Sequence, residues 1–202
     1  TVPRTETEKL VSDIWKECLN LENIDIFSNF FEIGGHSLVA VKVMNKLEKE
    51  TGERLPLATL FEYSTIEKLA QLLKNEKKII SWDSLVPIKP NGTKPPLYIV
   101  HGAGLNVLIF NALAKNLDED QPIFALQAKG LNGIEEPYGT IEEIASYYVD
   151  SIMKSNADGP YALAGYSFGG IIAYEMAHQI TTRGKKVTMI GLLDTEVHPH
   201  SY

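Results

Sequence analysis

The sequence predicts two domains of different class: an all-α bundle of four helices in residues 1–75, and an α/β domain with a mainly parallel sheet in residues 85–202. Two observations lead to this division. Apolar residues recur at helical spacing in the first part of the chain, whereas beyond Leu85 short apolar runs alternate with amphipathic ones. The segment between them, residues 76–84, follows neither pattern, and we expect it to be a linker.

The four helices of the first domain have visible start and stop signals. A T-x-x-E capping box at Thr5–Glu8 begins the first helix, and a second helix runs from Ser37 to a glycine C-cap at Gly52. One short helical turn fits in Pro56–Tyr63. A second capping box at Ser64–Glu67 begins the last helix, whose apolar positions again follow helical spacing.

The second domain shows the alternation of strand and helix that indicates parallel strands joined by crossover helices. One run, LYIVHG, is continuously apolar, as a central parallel strand should be. The predicted strands are 85–90, 97–102, 123–130, 161–164 and 187–194, and the predicted helices are 107–117, 140–156 and 168–184.

The strongest chemical signal is a G-x-S-x-G turn formed by Gly165, Ser167 and Gly169. Between a strand and a helix, such a turn strains the serine backbone and exposes its hydroxyl, and side chains at the two glycines would clash with neighbouring backbone. The Phe168 backbone N–H, at the helix start, could stabilise an oxyanion. An idle serine in a glycine-rich turn is the alternative, but the order strand, turn, long helix favours a nucleophile.

Two further strand ends carry candidate residues. After the central strand, the Ala103 backbone N–H could be a second oxyanion donor, with His101 a supporting residue rather than a base. Asp194 ends the last predicted strand, where its carboxylate could orient an imidazole. For Asp194 alone, a helix cap or turn residue is the alternative.

Ser37 is the candidate site of the first domain. It follows Gly34, Gly35 and His36 and opens a helix, so a phosphate on its oxygen would lie among helix N-terminal N–H groups. An ordinary serine N-cap would produce the same pattern. The residues by themselves leave both interpretations open.

Composition excludes several classes of function. The net charge of -7 and the lack of a basic cluster argue against nucleic-acid binding. No apolar run is long enough to span a bilayer, and no signal peptide is apparent. Cys18 is the single cysteine, so we expect neither an intrachain disulfide nor a cysteine metal cluster, and we predict no metal site and a cytoplasmic location.

The stretch NFFEIGGHSL resembles the phosphopantetheine attachment site of peptidyl carrier domains in nonribosomal peptide synthetases. The resemblance implies a 4′-phosphopantetheine attached covalently to Ser37, whose thiol holds an acyl or peptidyl thioester. It also implies as partners a phosphopantetheinyl transferase and the condensation and adenylation domains upstream.

Residues 85–202 resemble the N-terminal part of the type I thioesterase domain that ends such synthetases, a member of the α/β-hydrolase superfamily. GYSFGG matches the family's serine motif at Ser167, VHGAG resembles its oxyanion segment, and LLD matches the acid at Asp194. The family's catalytic histidine follows a lid region, and residues 195–202 contain neither. His198 and His200 lie too close to Asp194 to replace it, so we expect these 202 residues to be inactive by themselves.

Together the resemblances imply a serine thioesterase that releases a carrier-bound peptide by hydrolysis or macrocyclisation. The alternative is a carrier, acting as a binding module, attached to a catalytically incomplete hydrolase remnant. A free-standing esterase with a helical appendage is a further alternative, but it has no need of the motif at Ser37.

Overall fold

The computed structural model describes residues 1–196, and the chain divides into two compact units, Thr1–Ser81 and a second that begins at Trp82. Part of the predicted linker is held by the first unit. The Lys78 ammonium donates to Glu53 Oε1 at 2.8 Å and to the Leu73 carbonyl at 3.1 Å. Of the helices in residues 1–196, none has the length and apolar character needed to cross a membrane.

The first unit is the predicted all-α bundle. Its core contains Trp15 and Phe30, whose rings meet edge to face with centroids 5.0 Å apart, and both side chains are fully buried. The helices are α1 (Glu6–Leu19), α2 (Ser37–Thr51), α3 (Thr59–Glu62) and α4 (Ile66–Lys74). Helix α2 ends at Gly52 in the left-handed conformation, which confirms the glycine C-cap.

The capping box predicted for α1 is only half formed. Thr5 Oγ1 accepts from the Glu8 backbone N–H at 3.2 Å, as expected. The Glu8 carboxylate does not complete the box, because it accepts from Arg4 Nη2 at 2.7 Å and from the Arg4 backbone N–H at 2.6 Å. An ion pair with the preceding arginine has therefore replaced the reciprocal bond.

The N-cap predicted for α4 is wrong by one residue. Thr65, not Ser64, caps this helix, by accepting from the Lys68 backbone N–H at 3.3 Å. Ser64 instead binds the loop between α1 and α2. Its carbonyl accepts from the Phe30 N–H at 2.7 Å, and its hydroxyl accepts from Asn29 Nδ2 at 3.2 Å. These contacts with a distant segment give Ser64 a different role.

The second unit is a five-stranded sheet in the order β1-β3-β2-β4-β5, in which only β1 runs antiparallel to its neighbour. This confirms the predicted α/β class with a mainly parallel sheet. The strands are β1 (Leu85–Lys89), β2 (Leu97–Val100), β3 (Ile123–Leu126), β4 (Tyr161–Tyr166) and β5 (Val187–Leu193). The helices are α5 (Asn111–Asn116), preceded by a 3₁₀ turn at Leu108–Phe110, α6 (Ile141–Ser155) and α7 (Phe168–Thr182).

The register of the parallel strands brings three strand ends together. Val100 on β2 lies opposite Gly165 on β4, and Gly165 lies opposite Leu192 on β5. The residues that follow β2, β4 and β5 therefore emerge side by side at the carboxyl edge of the sheet. Within residues 1–196, β2 is fully buried and β5 is one of the two edge strands.

Candidate functional site

Ser167 occupies a strained turn between β4 and α7. Its φ of 51° and ψ of -120° lie outside the regions that L-residues favour. The flanking glycines are sterically required: a Cβ at Gly165 would lie 2.0 Å from the Gly169 carbonyl oxygen, and one at Gly169 would lie 2.2 Å from the His101 carbonyl oxygen. The local chain thus has the form of a nucleophile elbow.

The end of β5 holds the Ser167 backbone from both sides. The Ser167 N–H donates to the Leu193 carbonyl at 2.8 Å, and Thr195 Oγ1 donates to the Ser167 carbonyl at 2.9 Å. Asp194 lies between Leu193 and Thr195 in the chain, with a φ of 49° and an exposed side chain. The structure therefore brings the predicted acid to the turn that carries the predicted nucleophile.

Both predicted oxyanion donors border this turn. Phe168 is the first residue of α7, where backbone N–H groups have no partner within the helix and the helix dipole favours negative charge. The loop with Ala103 is packed against the elbow, since a Cβ at Gly102 would lie 2.8 Å from the Tyr166 ring. The segments that carry the two predicted donors thus both adjoin the turn at Ser167.

His101 is buried and fully engaged, with 1% of its surface exposed. Its Nδ1 lies 2.7 Å from the Gly102 carbonyl oxygen and its Nε2 lies 2.6 Å from the Tyr148 hydroxyl. Burial lowers the pKa of His101, although its contact with the Gly102 carbonyl acts in the opposite direction. This environment supports the interpretation of His101 as a supporting residue rather than the base.

The other histidines do not supply a base within the described part of the second unit. His178 lies ten residues into α7, about 15 Å along the helix axis from its first residue. His198 and His200, which the sequence made poor candidates, lie outside the described residues. Residues 1–196 also contain no cluster of histidine, cysteine, aspartate or glutamate side chains that could hold a metal ion.

Sequence reasoning missed two residues of this region, Tyr148 and Thr195. Tyr148 falls on the buried face of α6, where the helical pattern does not distinguish it from a core aromatic. Thr195 follows the last predicted strand and belongs to no motif. Neither residue could be identified from the sequence, because the polar groups that they contact are known only once the strands and helices have been placed.

In the first unit, Ser37 is the first residue of α2, after a tight glycine turn. A Cβ at Gly35 would lie 2.4 Å from the Phe30 carbonyl oxygen, and Gly34 has a φ of 104°. The N-cap is His36, whose side chain makes no capping hydrogen bond. The His36 side chain therefore does not cap the first-turn N–H groups of α2. Ser37 follows the N-cap, so the interpretation of Ser37 as an ordinary N-cap is wrong.

Comparison with known proteins identifies both units. Residues 95–201, more than half of the chain, match the family model of the Thioesterase domain. The chain belongs to this family. Residues 9–73 match the model of the Phosphopantetheine attachment site, so a carrier domain precedes the thioesterase domain.

Relatives with the same two domains are much longer proteins. The chain is 38% identical over 96% of its length to malpinin synthetase of Mortierella alpina, and 36% identical over 95% to a dimodular nonribosomal peptide synthase of Bacillus subtilis (strain 168). It spans only 2% and 8% of those two proteins.

Solved structures are similar to the whole chain or to part of it. A crystal structure of holo-AB3403, a four-domain nonribosomal peptide synthetase bound to AMP and glycine, matches 98% of this chain with a TM-score of 0.57 and 32% identity, over 15% of that protein. The NocB thioesterase domain matches 55% of this chain with a TM-score of 0.53 and 31% identity, over 50% of that domain.

Proposed function

We propose that this chain ends a nonribosomal peptide synthesis: an acyl or peptidyl group held on the carrier domain passes to Ser167 of the thioesterase domain and is then released. The observation that carries the proposal is the strained turn at Ser167, which adjoins the Asp194 loop, the start of α7 and the loop after β2. Release is by water or by a nucleophile within the peptide.

The phosphopantetheine arm would be attached to the hydroxyl of Ser37. The structure fits this role, because the phosphate would lie at the N-terminus of a 15-residue helix whose N-cap side chain makes no hydrogen bond. When bound, the arm supplies the thiol that holds the acyl group as a thioester. Leu38 and Val41 beside Ser37 are exposed apolar residues, which favours docking of a phosphopantetheinyl transferase and of condensation and adenylation domains.

In the transfer step, the Ser167 oxygen attacks the thioester carbonyl while a general base removes its proton. The N–H groups of Phe168 and Ala103 stabilise the oxyanion of the tetrahedral intermediate. The carbon–sulfur bond then breaks, the thiol leaves with the proton, and the acyl group remains on Ser167 as an ester. Asp194 would orient the base, an imidazole supplied from outside residues 1–196.

A second candidate is a carrier joined to a catalytically incomplete hydrolase. It is favoured by one observation: in the described part of the second unit, His101 has both ring nitrogens engaged and His178 is remote from the elbow. A cytoplasmic location, favoured by the single cysteine, belongs to either candidate.

The experiment that separates these candidates follows one acyl group. Ser37 is loaded with an acyl-phosphopantetheine arm in a chain extended by the residues that follow Tyr202 in its reading frame, and intact mass is recorded over time. We expect release from the native protein and from a Ser155→Ala control, whereas Ser167→Ala should retain the group on Ser37. Equal release by Ser167→Ala would contradict the proposal.

A further inference from the structure

His101 and Tyr148 form a buried polar pair beneath the loop that carries Ala103. Each side chain has 1% of its surface exposed, and their rings meet edge to face with centroids 5.8 Å apart. Tyr148 belongs to a core of mostly apolar side chains, including Val149 and Ile152 from the same helix. Apolar groups of similar shape would pack in such a core at little cost, so folding alone does not require this pair.

The geometry assigns the protons of the pair. The Gly102 carbonyl oxygen can only accept, so His101 Nδ1 carries the proton and donates over 2.7 Å. Nε2 is then the acceptor for the Tyr148 hydroxyl at 2.6 Å. Burial lowers the pKa of His101 and raises the pKa of Tyr148, which keeps the imidazole neutral and the phenol protonated. The Gly102 carbonyl thus sets the tautomer of His101, and the Tyr148 hydroxyl holds the other side of the ring.

The same bond fixes the orientation of the next peptide group. The Gly102 carbonyl accepts from His101 Nδ1 and also from the Leu105 N–H, at 3.0 Å. In a planar trans peptide, the C=O of one residue and the N–H of the next point in opposite directions. Two bonds to the Gly102 oxygen therefore direct the Ala103 N–H away from the core.

From these contacts we infer that Tyr148 and His101 are positioning residues, which aim the Ala103 N–H at the oxyanion through the Gly102 carbonyl. The inference rests on the proposed function, because it takes Ala103 as an oxyanion donor. Neither side chain touches the reacting atoms. Without the Tyr148 hydroxyl, His101 Nε2 loses its hydrogen-bond donor, so the ring is held at Nδ1 alone and its bond to the Gly102 carbonyl weakens.

The kinetic test compares Tyr148→Phe with Tyr147→Phe in the chain extended beyond Tyr202. Tyr147 is the adjacent tyrosine of α6, and its ring lies at a tilt against that of Tyr138, with centroids 5.3 Å apart, whereas Tyr148 is the ring that meets His101. Removing an oxyanion donor costs roughly 10²–10³-fold in kcat, and we expect its misalignment in Tyr148→Phe to cost about tenfold with KM unchanged. Tyr147→Phe should match the native protein.

A dithioester substrate distinguishes a misaligned oxyanion donor from a general structural defect. In a dithioester the developing anion is on sulfur, a weaker hydrogen-bond acceptor, so the native preference for the thioester over the dithioester should shrink in Tyr148→Phe. His101→Leu should reduce the preference further, and His101→Asn, which keeps a donor near the Nδ1 position, should restore part of it. A structural defect would lower both rates alike.

Nitrogen NMR of the His101 imidazole in residues 1–202 tests the same inference without turnover. We expect the Nδ1–H tautomer in both proteins, because the Gly102 carbonyl can only accept, and faster exchange of the Nδ1 proton with solvent in Tyr148→Phe. An Nε2–H tautomer in the native chain, or an unchanged thioester preference in a folded Tyr148→Phe, would overturn the inference. Turnover that survives Ser167→Ala would overturn the proposed function instead, and the tautomer result would stand by itself.

Discussion

Thr195 Oγ1 donates a hydrogen bond to the carbonyl oxygen of Ser167 at 2.9 Å and lies 3.3 Å from the Leu193 carbonyl. The two residues are 28 positions apart in the chain. The same threonine occupies the space beside Gly170, where a Cβ would lie 2.0 Å from its hydroxyl oxygen. The loop that carries Asp194 and the turn that carries Ser167 are therefore joined by a specific contact.

Thr195→Val keeps the shape of this side chain and removes the hydrogen bond to Ser167. We expect the free energy of unfolding of the second unit to fall by about 1 kcal/mol, the usual value of one such bond. Urea unfolding measures this difference. Thr182→Val is the control, because the Thr182 hydroxyl bonds only its own helix, to His178, at an exposed position. Equal loss in both variants would show that the Ser167 contact contributes nothing specific.

Gly169→Ala should disrupt the elbow. The new methyl would lie 2.2 Å from the His101 carbonyl oxygen and 2.5 Å from that of Val100, and neither backbone atom can move without displacing β2. We expect a loss of at least about 2 kcal/mol in stability, measured by thermal unfolding. Gly139→Ala, which meets nothing within 4 Å, should leave the melting temperature unchanged. A native-like Gly169→Ala would contradict the steric argument.

The Arg4–Glu8 pair should make the stability of the first unit depend on acid pH. Hydrogen bonds from the Arg4 guanidinium, and then from its backbone N–H, hold the pKa of Glu8 at about 2, below the ordinary 4.5. Because the folded pKa is the lower one, the stabilisation is complete above the unfolded pKa and is lost as the pH falls from there towards 2. The stability difference between the native chain and Glu8→Gln should therefore shrink in that window.

This titration can be followed in the whole chain. It contains two tryptophans, so in a Trp82→Phe background the buried Trp15 reports on the first unit alone during urea unfolding. Glu6→Gln removes the same charge from the same first turn at an exposed position, and its effect should not depend on Arg4. A Glu8→Gln difference that stays constant from pH 7 to pH 2 would rule out the linkage.

One phosphopantetheine arm should become attached covalently to Ser37. Incubation with coenzyme A and a phosphopantetheinyl transferase should raise the intact mass by one arm, because Ser37 is the partly exposed hydroxyl at the start of α2. Ser37→Ala should remain unmodified, and Ser28→Ala, a serine of the preceding loop, should be modified like the native chain. Uptake by Ser37→Ala would place the attachment elsewhere.

Residues 1–202 should hydrolyse acyl thioesters negligibly, because the second unit places no free imidazole by Ser167 within its described part. Loss of a catalytic triad member costs roughly 10⁴-fold or more. The measurement is turnover of one acyl thioester by this chain and by the extended chain. Equal, Ser167-dependent turnover by both would place the base within these residues, with His198, His200 and His101 the next to substitute.

The order and type of the elements were predictable because periodicity is a local property. The helix predicted at 140–156 begins with a complete capping box, in which Thr140 and Glu143 are bonded reciprocally. The cap of α4 was misplaced because Ser64 bonds Phe30 and Asn29, which local sequence does not reveal. Prediction thus failed where a distant segment decides the role of a residue.

The same distinction between local patterns and distant contacts applies to the candidate site. Ser167 and Asp194 were selected from short motifs, and the strand register brings their turns together, as Gly165 opposite Leu192 shows. Tyr148 lies 47 residues from His101, so no local pattern could join them. The roles of Ser37, Ser167, Asp194, Ala103 and Phe168 remain predictions for the experiments above.

The hydrogen bonds that hold the Ser167 backbone depend on strand β5. In the described part of the sheet, β5 pairs only with β4, and Met189, Ile190 and Leu192 are between 39% and 47% exposed. Outer strands with little burial open more often than central ones. Since the bonds to the Ser167 N–H and carbonyl come from Leu193 and Thr195, each opening of β5 releases both. In residues 1–202, we therefore expect the amide proton of Ser167 to exchange with solvent at the rate at which this strand opens and not at that of α7.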